Sequence, residues 1–135
     1  MIQSNASARD KASDPFSALH KYQYTQLTTF RKDGSAIPTP VWFAPDQGKL
    51  YVMTLSTAGK VKRINNNGQA WLAPCNASGK VLGDRVEARA RILPASENEH
   101  AASVLTGKYG FMYRVFAFFQ NVRKVNRIFL EFEPA

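Results

Sequence analysis

The sequence has little of the chemistry that builds disulfides and metal centres. It contains one cysteine, Cys75, and two histidines, His20 and His100, among 135 residues. A single cysteine excludes an internal disulfide and any multi-cysteine metal site, and it suits a reducing compartment, so we expect a cytoplasmic protein. The histidines are far apart in the sequence, with no cysteine or second histidine at ligand spacing, so we expect no metal site.

Long hydrophobic runs are also missing. No stretch approaches the roughly 18–20 apolar residues of a membrane-spanning helix, and the N-terminus lacks the basic and apolar regions of a signal peptide. We therefore expect no membrane partner. Hydrophobic residues make up 44% of the chain and charged residues 21%, which is typical of a folded protein. We expect a single domain over residues 14–135, preceded by a flexible polar tail over residues 1–13.

Acidic residues are the scarcer of the two charges. Eighteen Lys and Arg stand against ten Asp and Glu, so the formal net charge is +8. An excess of this size indicates an anionic partner: nucleic acid, an acidic membrane face or a phosphorylated small molecule. The net charge by itself does not choose among these three.

Period-two patterns and turn signals predict six strands and two or three short helices. The first three predicted strands are YQYTQLTTFR, AIPTPVWFA and KLYVMT, joined by an Asp33-Gly34 hairpin and a PDQG turn in an antiparallel meander. The later predicted strands are AWLAPC, VEARARIL and NRIFLEFE. Many short antiparallel strands favour a small β-barrel or sandwich, because closure hides the strand edges.

Two helices are predicted from their end signals. One begins near Gly59 and carries a basic stretch that ends at Gly68, a candidate C-cap. The other opens at a capping box formed by Ser96 and Glu99 and runs to about Leu105. These signals place short helices after the third and before the last predicted strand.

The sharpest local signal directly follows the third predicted strand. Hydroxyl groups, a glycine that permits close backbone approach and three cations within four positions are the groups that hold a phosphate. A helix that begins nearby would add free amides and its dipole. The same segment also suits a solvated basic turn, and the Walker spacing GxxxxGK[ST] is absent. The candidate phosphate residues are Thr54, Ser56, Lys60, Lys62 and Arg63.

The second signal is a predicted strand with two prolines, Pro38 and Pro40. Proline cannot donate to a sheet ladder, and backbone groups left unpaired beside it can bond the polar edge of a planar ring. Taken alone, the pattern favours an ordinary edge strand protected by proline. That interpretation weakens if the strand lies beside the phosphate segment, as the meander predicts. The candidate ring-facing residues are Thr39, Pro40, Val41 and Trp42.

The stretch from Ala101 to Leu130 combines cations with aromatic side chains and has no carboxylate. It suits a nucleic-acid surface, where bases stack on aromatic rings. Aromatic residues at this density more often form a core or a subunit interface, so nucleic acid is the less favoured partner. No fixed base can be named beside Cys75, so the sequence does not indicate catalysis by side chains alone.

The order of these motifs resembles a known family. The segments LTTFRKDG, PTPVWF, LYVMT followed by GKVKR, WLAPC, VEARARIL and KYG resemble the flavin/deazaflavin oxidoreductase superfamily of split β-barrels related to pyridoxamine 5′-phosphate oxidase. The resemblance covers about Phe16 to Glu133 and is closest to the small branch described as F420-dependent enzymes. The segment NRIFLEFEPA lacks the further basic and aromatic residues that hold the substrate phosphate in pyridoxamine phosphate oxidase itself. The resemblance therefore does not imply oxidation of pyridoxamine phosphate.

The resemblance implies a six-stranded antiparallel Greek-key split barrel that forms a homodimer. It implies a flavin-type cofactor, FMN or coenzyme F420, in each cleft at the subunit interface, and a hydride passing between the cofactor and a small organic substrate. The cofactor phosphate would contact the phosphate residues and its ring the ring-facing residues given above. Arg85 loosely matches a polar contact to the ring, and Tyr109 and Arg127 would reach the cleft from the partner subunit.

A basic rim of Lys108, Arg123 and Lys124 would receive the acidic oligoglutamate tail of F420, whereas FMN would leave that rim without a role. The alternatives to an oxidoreductase are a non-catalytic FMN- or F420-binding carrier and, less favoured, a small basic β-barrel that binds nucleic acid.

Overall fold

A computed structural model describes residues 14–110 and 126–135. In this part the strands are β1 (Tyr24–Phe30), β2 (Ala36–Trp42), β3 (Ala44–Asp46), β4 (Lys49–Leu55), β5 (Gln69–Cys75), β6 (Val86–Ile92) and β7 (Arg127–Pro134). The helices are α1 (Gly59–Asn66) and α2 (Asn98–Tyr109), and short 3₁₀ turns cover Ser17–Leu19 and Ala95–Glu97. No helix within the described ranges is long and apolar enough to cross a membrane. The predicted N-terminal tail and residues 111–125 of the aromatic basic stretch lie outside these residues.

The order of the strands explains how the sheet closes. It is β2-β1-β5-β6-β7-β4-β3, with antiparallel pairing throughout. β2 and β3 lie at opposite edges of the sheet, yet Phe43 alone separates them in the chain. The sheet therefore has to curl until its two edges meet, as a barrel does. The predicted mainly β, antiparallel architecture is confirmed.

The predicted number of strands was wrong: the described residues form seven strands, not six. The segment AIPTPVWFA is divided at Phe43, so that β2 pairs with β1 and β3 pairs with β4. The predicted meander is wrong for the same reason, because β4 pairs along its length with β7 and meets only the short β3 on its other side. The alternation of apolar residues predicts which residues are extended, but it does not predict where a strand changes its pairing partner.

The change of partners at Phe43 is fixed by Tyr109 at the end of α2. The backbone N–H of Phe43 donates to the Tyr109 hydroxyl at 2.8 Å. The same hydroxyl lies 2.6 Å from the carbonyl oxygens of Phe43 and Gln23, and donates its single proton to one of them. Phe43 belongs to neither strand, so its buried backbone has no ladder hydrogen bonds. The Tyr109 hydroxyl supplies hydrogen bonds in their place.

Neither predicted helix cap forms. The Ser96–Glu99 capping box gives way to a 3₁₀ turn, and α2 begins without a side-chain cap. α1 ends in an extended Asn67, and Gly68 is used for a close approach to β6. The Ala90 N–H donates to the Gly68 carbonyl at 2.7 Å, and a Cβ on Gly68 would lie 2.9 Å from the Ala90 carbonyl oxygen.

Apolar side chains cover both faces of part of the sheet. The inner cluster fills the curl of the sheet, and α1 contributes Ile64 to it. The outer cluster lies between α2 and the strands β3, β4 and β7. β6 shows the predicted alternation, with Ala88 and Ala90 buried and Arg89 and Arg91 exposed. Two accessible regions of the fold lie beside the predicted site residues: the end of the barrel at α1 and the outer face of β1, β2 and β5.

Candidate functional site

The predicted phosphate segment lies where β4 passes into α1. The Ser56 N–H donates to the Asn126 carbonyl at 2.9 Å, which holds the end of β4 beside β7. α1 begins at Gly59, as the sequence predicted, and Ala58 before it supplies no side-chain cap. The first amides of a helix have no partner within the helix. The Val61 N–H donates to the Ala58 carbonyl at 3.1 Å, so the amides that an anionic ligand could use are those of Gly59 and Lys60.

Arg63 folds back over the start of this helix. Its Nε donates to Thr29 Oγ1 on β1 at 2.6 Å. A Cβ at Gly59 would lie 2.7 Å from Nη1 of Arg63, so the absence of a side chain at Gly59 makes room for the guanidinium. Lys60 lies three positions before Arg63 and shares its side of the helix, whereas Lys62 points to another side and is exposed. The structure brings Lys60 and Arg63 together and separates Lys62 from them.

We call Arg31, Lys60 and Arg63 the cation cluster. Burial, and then the charge of Arg63, lowers the pKa of Lys60. Burial, and then the charge of Arg31, lowers the pKa of Arg63. In the part of the chain that the structure describes, no carboxylate forms an ion pair with any of the three. Their mutual repulsion would be relieved by a bound anion.

The donors of this region fit a phosphate. A guanidinium, an ammonium group and the amides of a helix N-terminus are the groups that proteins use to hold one. FMN and F420 both carry a phosphate, so the residues present suit either cofactor at this point. The chemistry of the donor set does not distinguish between the two.

The other members predicted for the phosphate segment differ in position. Thr54 is buried at the end of β4, opposite Ile128 of β7. Ser56 is exposed in the turn before α1. Arg127 was expected from the partner subunit, but within one chain it already lies opposite Leu55, beside the same turn. Backbone register therefore brings Arg127 to the segment, which no local sequence pattern indicated.

The predicted ring-facing residues are divided between the two faces of the sheet. Cross-strand partners share a face, and Thr39 lies opposite the fully buried Leu27. Thr39 and Val41 therefore point inward, and Val41 packs against the inner cluster. Pro40 and Trp42 point outward. A ligand on the outer face would meet the side chains of only half of this set.

The backbone of β2 offers a different kind of contact. β2 lies at an edge of the sheet, and Pro38 and Pro40 are opposite Thr28 and Gln26 of β1. Because proline has no N–H, the ladder to β1 must use the residues between the prolines. The carbonyls of Pro38 and Pro40 consequently point toward the edge. The edge of β2 therefore presents the carbonyl oxygens of Pro38 and Pro40 as hydrogen-bond acceptors, with no backbone N–H between them.

A groove of about 370 Å³ runs along the outer face of β1, β2 and β5. Arg85 lies on one side of it, with its guanidinium carbon 3.7 Å from the centre of the Trp71 ring. Phe30 contacts the same ring edge to face at 4.8 Å. Arg85 was predicted, whereas Trp71 was missed because only the register of β5 with β1 places it in the groove.

Trp42 and Tyr109 form a separate aromatic pair. Their rings are stacked with centroids 4.7 Å apart and planes 12° from parallel. Tyr24 contacts Trp42 edge to face at 6.4 Å. Tyr109 was expected from the partner subunit, but here it stacks on Trp42 of its own chain. Trp42 is opposite Tyr24 at the start of β1, about 17 Å along the strand from Thr29 beside the cation cluster.

Cys75 and the histidines give no second site. Burial raises the pKa of the Cys75 thiol, which is nearly inaccessible. His20 and His100 each contact one aspartate, Asp14 and Asp46 respectively. Within residues 14–110 and 126–135 no group of three or more His, Cys, Asp or Glu side chains is placed to hold a metal ion.

The fold and the candidate site define a class of protein: a curled antiparallel barrel with a cluster of cations where a strand passes into a helix. Residues 16–135 match the family model described as pyridoxamine 5′-phosphate oxidase. The chain belongs to this family, which confirms the resemblance seen in the sequence. No curated protein matches the chain.

Solved structures share the fold at low sequence identity. The heme storage protein HutZ from Vibrio cholerae has a TM-score of 0.66 and 11% identity, over 94% of this chain and 89% of that chain. An FAD-binding protein from Mesorhizobium loti has a TM-score of 0.60 and 17% identity, over 91% and 87%. An F420 reductase has a TM-score of 0.57 and 18% identity, over 89% and 92%. Flavin-type cofactors are thus bound within this group of similar structures, which also includes a heme protein.

Proposed function

We propose that this protein is an oxidoreductase that binds FMN or coenzyme F420 and transfers hydride to or from a small organic substrate. The observation that carries the proposal is the cation cluster at the start of α1. Lys60 and Arg63 are partly buried, repel each other and have no carboxylate partner among the described residues. A phosphate supplies the charge that this arrangement lacks.

Each part of the site has a separate task in this proposal. Lys60 and Arg63, with the first amides of α1, bind the cofactor phosphate, and Thr29 holds the guanidinium in place. The edge carbonyls of Pro38 and Pro40 accept hydrogen bonds from the polar edge of the ring. The cofactor supplies the hydride chemistry when bound. The chain then contributes binding, orientation and exclusion of water, and no side chain has to act as an acid or a base.

Ser56, Thr54 and Arg127 surround the same turn, and we assign them to the outer part of the phosphate site. Arg85 is the candidate contact to the ring from the groove side. Lys108, expected in a rim for the F420 tail, donates to the Tyr22 carbonyl at 2.7 Å and is only partly accessible. Arg123 and Lys124 lie outside the described residues. The rim therefore stays a prediction, and the proposal includes both cofactors.

We also propose that the protein is a cytoplasmic homodimer. The outer groove is open on one side, and two large apolar side chains beside it, Val81 and Leu82, are 44% and 46% exposed. A second subunit would cover them and complete a cleft. The buried, unpaired Cys75 suits a reducing compartment. Sedimentation velocity should give twice the chain mass, and a monomer at micromolar concentration would contradict this part.

The cofactor is tested by direct titration of the purified protein. FMN and F420 are each titrated while their fluorescence and visible spectra are recorded, and one of them should bind with a micromolar or lower Kd. Inorganic phosphate at high concentration should compete, because it occupies the same cations. If neither cofactor binds at micromolar concentration, the proposal is wrong.

A carrier without catalysis is the second candidate. The likeness to a heme storage protein favours it, since this fold is used for storage as well as for reduction. A carrier would bind the cofactor with the same affinity but would not oxidise the reduced cofactor when quinones and enones are supplied. Stopped-flow measurement of cofactor oxidation therefore distinguishes the two functions.

A further inference from the structure

A cavity of about 330 Å³ lies between the segment that precedes β1 and the C-terminal end of α2. It shares no residue with the cation cluster or with the outer groove. Its lining combines amines with aromatic rings, and the proposed cofactor site does not use it. The lining residues are His20, Lys21, Tyr22, Gln23, Lys108 and Tyr109.

The amine of Lys108 is fixed at the wall of this cavity. Its Nζ donates to the Tyr22 carbonyl at 2.7 Å and lies 3.5 Å from the centre of the Phe43 ring. Over the described ranges, no carboxylate pairs with this amine. The Tyr22 carbonyl and the face of the Phe43 ring thus replace much of the water that would surround the amine of an exposed lysine.

Burial lowers the pKa of Lys108 to about 8. An ordinary lysine has a pKa of about 10.4, so it is almost fully protonated at pH 8, where about half of Lys108 is neutral. The ring of Phe43 favours the protonated form of the Lys108 amine. Both the protonated and the neutral amine can donate the hydrogen bond to the Tyr22 carbonyl. A neutral amine has the lone pair that a nucleophile needs.

Other titratable groups face the same cavity. Lys21 is exposed, with its Nζ 5.3 Å from the Tyr22 ring. His20 lies 3.6 Å from Asp14, which is the nearby carboxylate. Burial raises the pKa of Tyr109, so its hydroxyl stays protonated at neutral pH. Lys21 therefore contributes a positive charge at the entrance, and the Asp14 carboxylate is already in contact with His20.

We propose that Lys108 is the nucleophile of a covalent site for small anionic carbonyl compounds of the 2-oxo acid type. Lys21 attracts the carboxylate, and the Lys108 amine attacks the carbonyl carbon. A carbon–nitrogen bond forms, the carbonyl oxygen leaves as water with the two protons of the neutral amine, and an imine remains. The step needs no oxidant or reductant, and it does not depend on the proposed cofactor.

The first test uses glyoxylate, a small aldehyde with a carboxylate. The full-length protein is treated with glyoxylate and sodium cyanoborohydride at pH 8, and the reduced adducts are located by peptide mass spectrometry. Lys108 should be labelled at least ten times more than the exposed Lys32 and Lys80, and Lys108→Arg should remove this adduct. Labelling of Lys108 at or below the level of the exposed lysines overturns the proposal.

Two further measurements separate a specific site from general lysine reactivity. Labelling of Lys108 as a function of pH should be half-maximal near pH 8. A yield that still rises above pH 10 would contradict the expectation that much of the Lys108 amine is neutral at pH 8. Acetaldehyde, which has no carboxylate, should label Lys108 several times less than glyoxylate does. Lys21→Gln should remove that difference, and equal labelling of the unaltered protein by both aldehydes overturns the assignment to anionic compounds.

Discussion

Two charged regions differ in whether the chain neutralises them: the start of α1, and the outer face of the sheet beside α2. At α1, the cation cluster has no anionic partner among the described residues. Beside α2, three side chains contact the buried carboxylate of Glu131. The carboxylate accepts from Arg91 Nε at 2.8 Å and from the Tyr51 hydroxyl at 3.0 Å, and Lys49 Nζ lies 3.5 Å away.

The protonation states of the two regions follow from this difference. Burial disfavours the charged form of Glu131, but its hydrogen bonds from Arg91 and Tyr51 outweigh burial and lower the pKa of the carboxyl. Burial and the bond to Glu131 raise the pKa of Tyr51 to about 12. Arg91 is tied in addition to Glu97 at 2.8 Å, which raises its pKa. These charges stabilise one another.

The charges around Glu131 are neutralised within the fold, whereas the charges of the cation cluster are the ones that we propose a ligand neutralises. The Glu131 network is satisfied by the chain itself, so its interaction energy is already part of the folding free energy. The repulsion within the cation cluster costs energy, and the proposed anion would relieve it on binding. Substitutions around Glu131 should therefore change stability, and substitutions in the cation cluster should change affinity.

The largest expected effect is at the cation cluster. Replacing Lys60 and Arg63 together by Met should raise the Kd for the bound cofactor at least a hundredfold, or about 3 kcal/mol, because two charge-assisted bonds contribute about 1.5–3 kcal/mol each. The unfolding free energy without cofactor should change by less than about 1 kcal/mol, because the removal of like charges offsets the lost bond from Arg63 to Thr29. Lys62→Met, on another side of α1, is the matched control. An equal loss of affinity in that control would refute the assignment.

The next effect is on stability beside α2. Glu131→Gln should lower the free energy of unfolding by about 2 kcal/mol, because it removes a buried charge that three groups share. The Kd for the cofactor should change less than twofold. Glu133→Gln, exposed on the same strand, should change stability by less than about 0.5 kcal/mol. Urea unfolding followed by circular dichroism measures both variants, and similar values for the two would contradict the comparison.

The same carboxyl predicts an acid dependence. Its pKa is lower in the folded chain than the ordinary value of about 4.3, so the unfolded chain binds more protons in this range and stability increases with pH. The contribution is complete above that ordinary value and is lost as pH falls through the lower folded value. The unfolding free energies of the unaltered protein and Glu131→Gln should therefore converge as pH falls below about 4.3. A constant difference would exclude this linkage.

The smallest effects compare backbone packing near the two helices. Gly68→Ala should destabilise the protein by about 1 kcal/mol, because its Cβ would lie 2.9 Å from the Ala90 carbonyl oxygen. Gly107→Ala in α2 has nothing within 4 Å and should stabilise by about 0.5 kcal/mol through helix propensity. Thermal unfolding distinguishes the opposite signs, and a stabilising Gly68→Ala would show that Gly68 does not lie as close to β6 as described.

Local features of the fold were predictable because a few neighbouring residues determine them. Gly34 takes a φ of 89°, and Asp33 Oδ1 accepts from the Ser35 N–H at 2.9 Å, as a tight hairpin requires. The spacing of Lys60 and Arg63 places both cations on one side of any helix that starts near Gly59. The phosphate segment was therefore visible as a candidate, although the same spacing excludes Lys62 from the cluster.

Long-range features were not predictable because they depend on register between distant strands. Trp71 enters the groove with Arg85 only because β5 lies beside β1. Arg127 reaches the turn before α1 only because β7 lies beside β4. A period-two pattern fixes which residues of a strand share a face but leaves its neighbours unspecified.

The sequence by itself determined the strand-rich architecture, the hairpin at Gly34 and a compact set of cations after β4, since each follows from local backbone preference or spacing. Tertiary structure alone decided that β2 and β3 separate at Phe43, where the Tyr109 hydroxyl, 66 residues away, bonds its backbone. It also decided which charges are neutralised. A buried charge is stable only where a partner side chain lies within hydrogen-bond distance, and the order of the strands decides which side chains meet.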